Sequence, residues 1–131
     1  MDYGLGVRLD RPFPQAVEAV TAALKEQGFG VLTTIDVRAV LREKLGEELE
    51  DYLILGACNP SLAHRALRAD PRIGLLLPCN VVVRADGGTT VVEAVDPQTL
   101  VTLAGPGGGL AEVADEAARR LGAALDSLRG Q

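Results

Sequence analysis

The order in which the hydrophobic period changes along the chain is the feature that most constrains its fold. Residues 3–9 alternate between apolar and polar or small side chains, which predicts a half-buried β-strand. In residues 14–27 the apolar side chains recur every three to four positions, which predicts an amphipathic helix that Gly28 can end. Alternation returns in residues 29–37, where the odd-numbered residues share one face. This succession of periods predicts a β-sheet covered by helices.

The same reasoning extends over the rest of the chain. Asp36 is a typical N-cap for a short helix, and residues 52–57 are apolar on both faces, as in a central strand covered on both sides. The pattern further predicts a helix from Pro60 to Asp70, a buried strand at 73–77, a hairpin of 81–85 and 90–95, a helix restarting at Asp96-Pro97, and a long C-terminal helix over 110–128. We therefore expect about six strands and four or five helices.

The composition fits one globular domain that spans residues 1–131. A chain of 131 residues buries roughly two-thirds of the surface that its unfolded form exposes, so it needs no disulfide or metal to fold. Its hydrophobic fraction of 47% is ordinary, but it has only two Phe, two Tyr and no Trp. The core must therefore be built from Leu, Val, Ile and Ala.

The charge of the chain argues against nucleic acid and anionic membranes as partners. The net charge is −5, and the one local cluster of basic residues is Arg65, Arg68 and Arg72, which is too small for a phosphate backbone. No apolar run approaches the roughly 20 residues that span a bilayer, and the N-terminus shows no basic-then-apolar leader. We therefore expect a cytoplasmic protein whose two cysteines are reduced.

Two Cys-Asn pairs at the ends of apolar runs are the strongest indication of a functional site. Both cysteines of the chain are followed by asparagine, and chemistry in such domains often collects where strands end. The candidate ligand-binding residues are Cys58, Asn59, Pro78, Cys79 and Asn80. We expect the two cysteines to face each other if strands 52–57 and 73–77 are neighbours that end on the same side.

Each cysteine allows a structural and a chemical interpretation. Cys58 lies beside the expected helix N-terminus, where partial positive charge favours a reactive thiolate, but free cysteine is also a common buried residue. With Cys79 it could form a dithiol that cycles with a disulfide. Two thiols alone do not complete a zinc site, and His64 falls on the polar side of its helix, so no metal site is predicted.

The two asparagines differ in how well local structure explains them. Asn59 precedes Pro60 and is explained as a helix N-cap. Asn80 precedes no helix, so a role as a polar wall of a pocket remains open for it.

Four segments of the chain share their pattern with a known family: Gly28-Phe29-Gly30-Val31, Lys44-Leu45-Gly46, Tyr52-Leu53-Ile54-Leu55-Gly56-Ala57-Cys58-Asn59-Pro60 and Leu76-Leu77-Pro78-Cys79-Asn80-Val81. They resemble the bacterial and archaeal domain-of-unknown-function family 302. The resemblance implies a two-layer α+β fold with one mixed, largely antiparallel sheet, and a homodimer. It implies no established activity.

Three functions are compatible with these observations. The first is a cytoplasmic, homodimeric binding or sensing module that holds a small-molecule ligand in a pocket of the Cys-Asn pairs. The second is a thiol redox or metal-dependent protein that uses Cys58 and Cys79. The third is a structural or protein-interaction domain with no ligand. The residues identify no cofactor and do not decide whether the protein is an enzyme.

Overall fold

The computed structural model describes residues 2–129, and these form five strands, five α-helices and two short 3-10 helices. In chain order they are β1 (Gly4–Leu9), α1 (Phe13–Glu26), β2 (Gly30–Asp36), α2 (Val37–Leu45), β3 (Tyr52–Cys58), α3 (Pro60–Ala69), a 3-10 helix (Pro71–Leu76), β4 (Cys79–Asp86), β5 (Thr89–Val95), α4 (Gln98–Ala104), a 3-10 helix (Gly107–Gly109) and α5 (Leu110–Asp126). The predicted α+β class is confirmed. None of the helices in residues 2–129 has the length and apolar character needed to cross a membrane.

The strands form one open sheet in the order β1-β5-β4-β3-β2. All four pairings between these strands are antiparallel, so within the described residues the sheet is antiparallel throughout rather than mixed. β4 and β5 make the predicted hairpin, joined by the two-residue turn Gly87-Gly88. β2 and β1 are the two edges.

The strand register divides the sheet into a covered face and an open face. Val7, Val92 and Val83 lie side by side across β1, β5 and β4, and all three are buried. The two longest helices, α1 and α5, pack against these strands and close the hydrophobic core. Ile54 and Val82 pair on the opposite face and are only half-buried. The prediction that β3 is covered on both faces therefore fails for the single chain.

The predicted strand at 73–77 is wrong, which reduces the strand count from about six to five. The Asp70 carboxylate accepts a hydrogen bond from the Arg72 N–H (2.9 Å), and Pro71 occupies the first helical position. These local signals start a 3-10 turn that the apolar run alone does not reveal. The turn buries Ile73 and leaves Leu75 exposed, because a helix of three residues per turn does not place residues two positions apart on the same side, as a strand would.

β2 departs from the predicted alternation. Its register with β3 shifts between Val31 and Thr33, so Val31 shares the covered face with Ala57 while Thr33 and Ile35 point to the open face. The prediction that residues 31, 33 and 35 share one face is therefore wrong. A β-bulge at Leu32 inserts one residue, and one residue is enough to reverse every side chain that follows.

The predicted helix ends are confirmed. Asp36 caps α2 by accepting from the Ala39 N–H (2.9 Å). Gly28 follows α1 with a φ of +85°, and the Phe29 N–H donates to the Leu24 carbonyl, as in a Schellman motif. The predicted core side of the C-terminal helix is also buried: Leu110, Val113, Ala114, Ala117, Leu121, Ala124, Leu125 and Leu128.

Candidate functional site

The two cysteines lie at the same end of the sheet. Cys58 is the last residue of β3 and Cys79 is the first residue of β4. Because β3 and β4 are antiparallel neighbours, Cys79 pairs with Ala57, the residue before Cys58. The expected meeting of two strand ends thus occurs, but between β3 and β4 rather than between β3 and a strand at 73–77. α3 and the first 3-10 helix return the chain from one cysteine to the other.

A cavity of about 410 Å³ opens at this end of the sheet. The ends of β2, β3 and β4 form one side, and α3, α4, α5 and the 3-10 helix form the other. Both cysteines line it, together with Asn59 and Pro78. Four of the five residues predicted as a site therefore surround one space.

Asn80, the fifth predicted residue, does not line this cavity. It pairs with Gly56 on the open face of the sheet, one position after Cys79 on the covered face. There it borders a separate groove of about 450 Å³ with Tyr52 and Glu93. Since Asn80 is part of β4, the strand register sends its side chain away from the thiols.

The environment of Cys79 keeps its thiol protonated. Burial, and to a lesser extent the neighbouring Cys58, raises the pKa of Cys79 from its ordinary value of 9.0 to about 11. At pH 7 only about one Cys79 side chain in ten thousand is then a thiolate. The Cys79 side chain therefore offers the cavity a neutral, weakly polar S–H group.

Asn59 holds α3 in place at the edge of the cavity. Its Oδ1 accepts a hydrogen bond from the Leu62 N–H at 3.2 Å, which confirms the predicted N-cap. The side chain is buried, and Gly28 at the end of α1 packs against its amide nitrogen. Asn59 therefore fixes the position of α3 relative to α1 and to Cys58.

Small residues, which the sequence analysis did not identify as site residues, create the space. Ala63 and Ala66 on α3 and Ala117 on α5 line the cavity where larger side chains would fill it. On the open face, Gly56 lets Thr33 and Pro78 approach β3 closely, because a Cβ at this position would collide with the Thr33 hydroxyl. A glycine inside a strand commonly marks such a close approach, so Gly56 carried a usable signal.

Two exposed leucines form part of the rim of the cavity. Leu32, the bulged residue of β2, is 68% exposed, and Leu67 on α3 is 42% exposed. Large apolar side chains that are exposed beside an apolar cavity commonly mark an interaction site. Neither leucine was predicted as a site residue, since the exposure of Leu32 follows from a bulge that exists only in the pairing of β2 with β3.

The described residues contain no ligand set for a metal ion. Across residues 2–129, no group of three or more His, Cys, Asp or Glu side chains is close enough to hold one. His64 is exposed on α3 and does not border the cavity, in agreement with its predicted solvation. A metal at Cys58 and Cys79 would have only two protein ligands, fewer than structural zinc requires.

The fold and the cavity define a class of protein: a two-layer α+β protein with an antiparallel five-stranded sheet and an apolar, thiol-lined cavity at the sheet end. Residues 5–128 match the family described as "Domain of unknown function DUF302", and the chain belongs to this family. It is similar to the uncharacterized conserved protein DUF302 from Bacillus stearothermophilus, whose crystal structure has 33% sequence identity and a TM-score of 0.89. That similarity covers 98% of this chain and 100% of the other. No curated protein matches the chain.

Proposed function

We propose that this protein is a binding or sensing module that holds a small molecule in the cavity at the end of the sheet. The observation that carries the proposal is the cavity itself, whose volume of about 410 Å³ falls in the range of small-molecule sites. Its lining is mainly apolar with a few polar residues, which is close to the usual composition of such sites.

The buried residues around the cavity support its interpretation as a ligand site rather than as a packing defect. Leu62, Leu100 and Val113 border the cavity and are otherwise buried in a closely packed core. Protein interiors leave few voids larger than a water molecule, since atoms that face a void lose their dispersion contacts. A ligand that fills the space would restore those contacts.

A titration with an uncharged fluorescent probe, N-phenyl-1-naphthylamine, tests this proposal. We expect saturable binding of one probe per chain and an increase in melting temperature. The variant Ala66→Leu, which extends a wall residue into the cavity, should weaken probe binding at least tenfold.

The matched control is Ala22→Leu, the same change at an exposed position of α1 that does not border the cavity. The control should bind the probe like the parent protein. Absence of saturable binding, or equal affinities for both variants, would show that the cavity is not a ligand site.

The proposal includes a homodimer in the cytoplasm. Ile35 and Ile54 pair on the open face of the sheet, and Ile35 is 49% exposed. The apolar strip that Ile35, Ile54 and Val82 form on this face supports pairing with a second copy through the same surface. The two cysteines are free, which supports a reducing compartment.

A thiol redox protein is the second candidate, because both cysteine residues line the same cavity. In that reaction Cys58 attacks a small disulfide and releases one small thiol. Cys79 then attacks the mixed disulfide and releases the second, and the two protein protons pass to the released thiols. The second step needs the Cys79 thiolate, which its pKa of about 11 makes scarce at neutral pH.

Incubation with oxidised glutathione at pH 7.5 separates the two candidates. The binding proposal predicts a mixed disulfide at Cys58, or no reaction, in the intact mass of the protein. Rapid loss of two hydrogen masses, with no glutathione left attached to the protein, would instead support the redox function.

A further inference from the structure

We propose that the ligand of this cavity is an uncharged, predominantly apolar molecule that enters between Leu32 and Leu67. This inference rests on the proposed binding function and specifies the chemical class of the ligand. Three observations support it: the described cavity wall carries no charged side chain, its polar groups offer few free hydrogen bonds, and its rim is apolar.

The described wall of the cavity carries no charged partner for an ionic ligand. No Asp, Glu, Lys, Arg or His side chain borders it. An ion that enters an apolar site loses its hydration and is compensated only if it meets an opposite charge or several hydrogen bonds. This wall therefore disfavours carboxylates, phosphates and ammonium groups alike.

The polar groups that do border the cavity are weak, already engaged or directed elsewhere. The Asn59 Oδ1 accepts the hydrogen bond that caps α3, and the Asn59 Nδ2 lies beside Gly28. Thr33 directs its hydroxyl toward Gly56 on the open face of the sheet. The remaining polar groups include the sulfur atoms of Cys58 and Cys79, and thiols are weak donors and weak acceptors. Such a set tolerates one modest polar group on a ligand but does not replace the hydration of an ion.

Charged groups near α3 lie outside the cavity. Arg65 and Arg68 border a separate groove, and Arg65 is paired with Glu116 at 3.1 Å. On the path between Leu32 and Leu67 the exposed leucine side chains present hydrocarbon to an entering molecule. The rim of the cavity is therefore apolar, like its wall.

Three ligands of equal chain length test this inference: 1-octanol, octanoate and octylammonium, each displacing N-phenyl-1-naphthylamine from the whole protein at pH 7. We expect octanol to displace the probe at a concentration at least tenfold lower than either ion. The inference is wrong if either ion competes as well as octanol or better. If the probe itself does not bind, the proposed binding function fails first, so the two failures are distinguishable.

A pair of lysine variants tests the rim. Leu67→Lys should increase the affinity for octanoate relative to that for octanol, because it places a positive charge where the ligand enters. Leu75→Lys adds the same charge at an exposed leucine of the 3-10 helix that does not border the cavity. It should leave the ratio of the affinities for octanoate and octanol unchanged. Equal effects of the two lysines would overturn the assignment of the rim.

Discussion

The protonation of the Cys79 thiol depends on where the fold places its side chain. Its Cα pairs with Ala57 inside the sheet, which turns its side chain to the covered face and toward the cavity. Burial there favours the neutral thiol over the thiolate, which is the nucleophilic form. The neighbouring Cys58 is half-buried at the strand end.

The reactivity of Cys79 should follow its raised pKa. In the variant Cys58→Ser, we expect alkylation of Cys79 by iodoacetamide to accelerate about tenfold per pH unit from pH 7. It should level off well above pH 9.0 but somewhat below pH 11, because the variant removes the smaller contribution of Cys58 to the raised pKa. Intact-mass kinetics would measure the rate, with free cysteine as the control. A plateau below pH 9 would contradict the burial of this thiol.

The same pKa predicts a loss of stability in alkali. Because the folded pKa of Cys79 lies above the ordinary value, its contribution is fully present below pH 9.0 and is lost as the pH rises to about 11. Urea denaturation should show this decrease. In Cys79→Ala the decrease between these pH values should be smaller by roughly 2–3 kcal/mol, at 1.36 kcal/mol per pKa unit.

Gly28 is constrained both by its own backbone and by its neighbours. Its φ is +85°, and a Cβ at this position would lie 2.9 Å from the Asn59 Nδ2. Gly46 has a φ of +69° but open space around it, so it provides a control for the backbone alone. We expect Gly46→Ala to lower the free energy of unfolding by about 1 kcal/mol and Gly28→Ala by at least twice that. Equal losses in urea denaturation would mean that the contact with Asn59 does not matter.

At the scale of elements, an ion pair joins two of the helices that face the cavity, α3 and α5. Glu116 of α5 pairs with Arg65 of α3 at 3.1 Å and with Arg120 of its own helix at 3.0 Å. The hydrogen bond from Arg65 is the main cause that lowers the pKa of the Glu116 carboxyl. The pair therefore links α3 to α5 on the outside while Ala63 and Ala117 leave space on the inside.

The ion pair predicts a pH-dependent effect on stability. A carboxylate whose pKa is lowered by folding stabilises the protein above its ordinary pKa of 4.5 and loses that effect as the pH falls through the lowered value. Glu116→Gln should therefore lower the melting temperature slightly at pH 7 and progressively less below pH 4.5. Glu18→Gln, at an exposed position of α1, is the control and should show no such trend. A difference that persists at low pH would argue against the ion pair.

Most elements were predictable from local signals, and the exceptions have identifiable causes. Asp36 and Asn59 cap helices as predicted, since capping involves only residues a few positions apart. The run 73–77 was mistaken for a strand because a short apolar run does not by itself distinguish a strand from a helical turn. The bulge at Leu32 was not predictable, because it exists only in the pairing of β2 with β3.

At the scale of the whole molecule, the open face of the sheet is the surface that a second copy would cover. We expect light scattering after gel filtration to give the mass of two chains. Ile35→Glu, on the open face, should give the mass of one chain, because it would place a buried charge in the interface.

The control for the dimer is Leu103→Glu, which changes an exposed leucine of α4 in the same way and should leave the mass unchanged. A single-chain mass for the parent protein would rule out the proposed homodimer. If Leu103→Glu alone gave the mass of one chain, the dimer interface would lie at α4 instead.

The sequence by itself determined the α+β class, the family, the caps and the buried side of α5, because periodicity and capping depend on residues that are close in the chain. Only the tertiary structure decided which predicted site residues meet. The register of β3 and β4 placed Cys79 in the cavity and turned Asn80, one residue later, to the opposite face. Strand register is set by contacts between segments that are distant in the chain. Because side chains alternate between the two faces of a strand, the face that each side chain occupies is known only once the strands are paired.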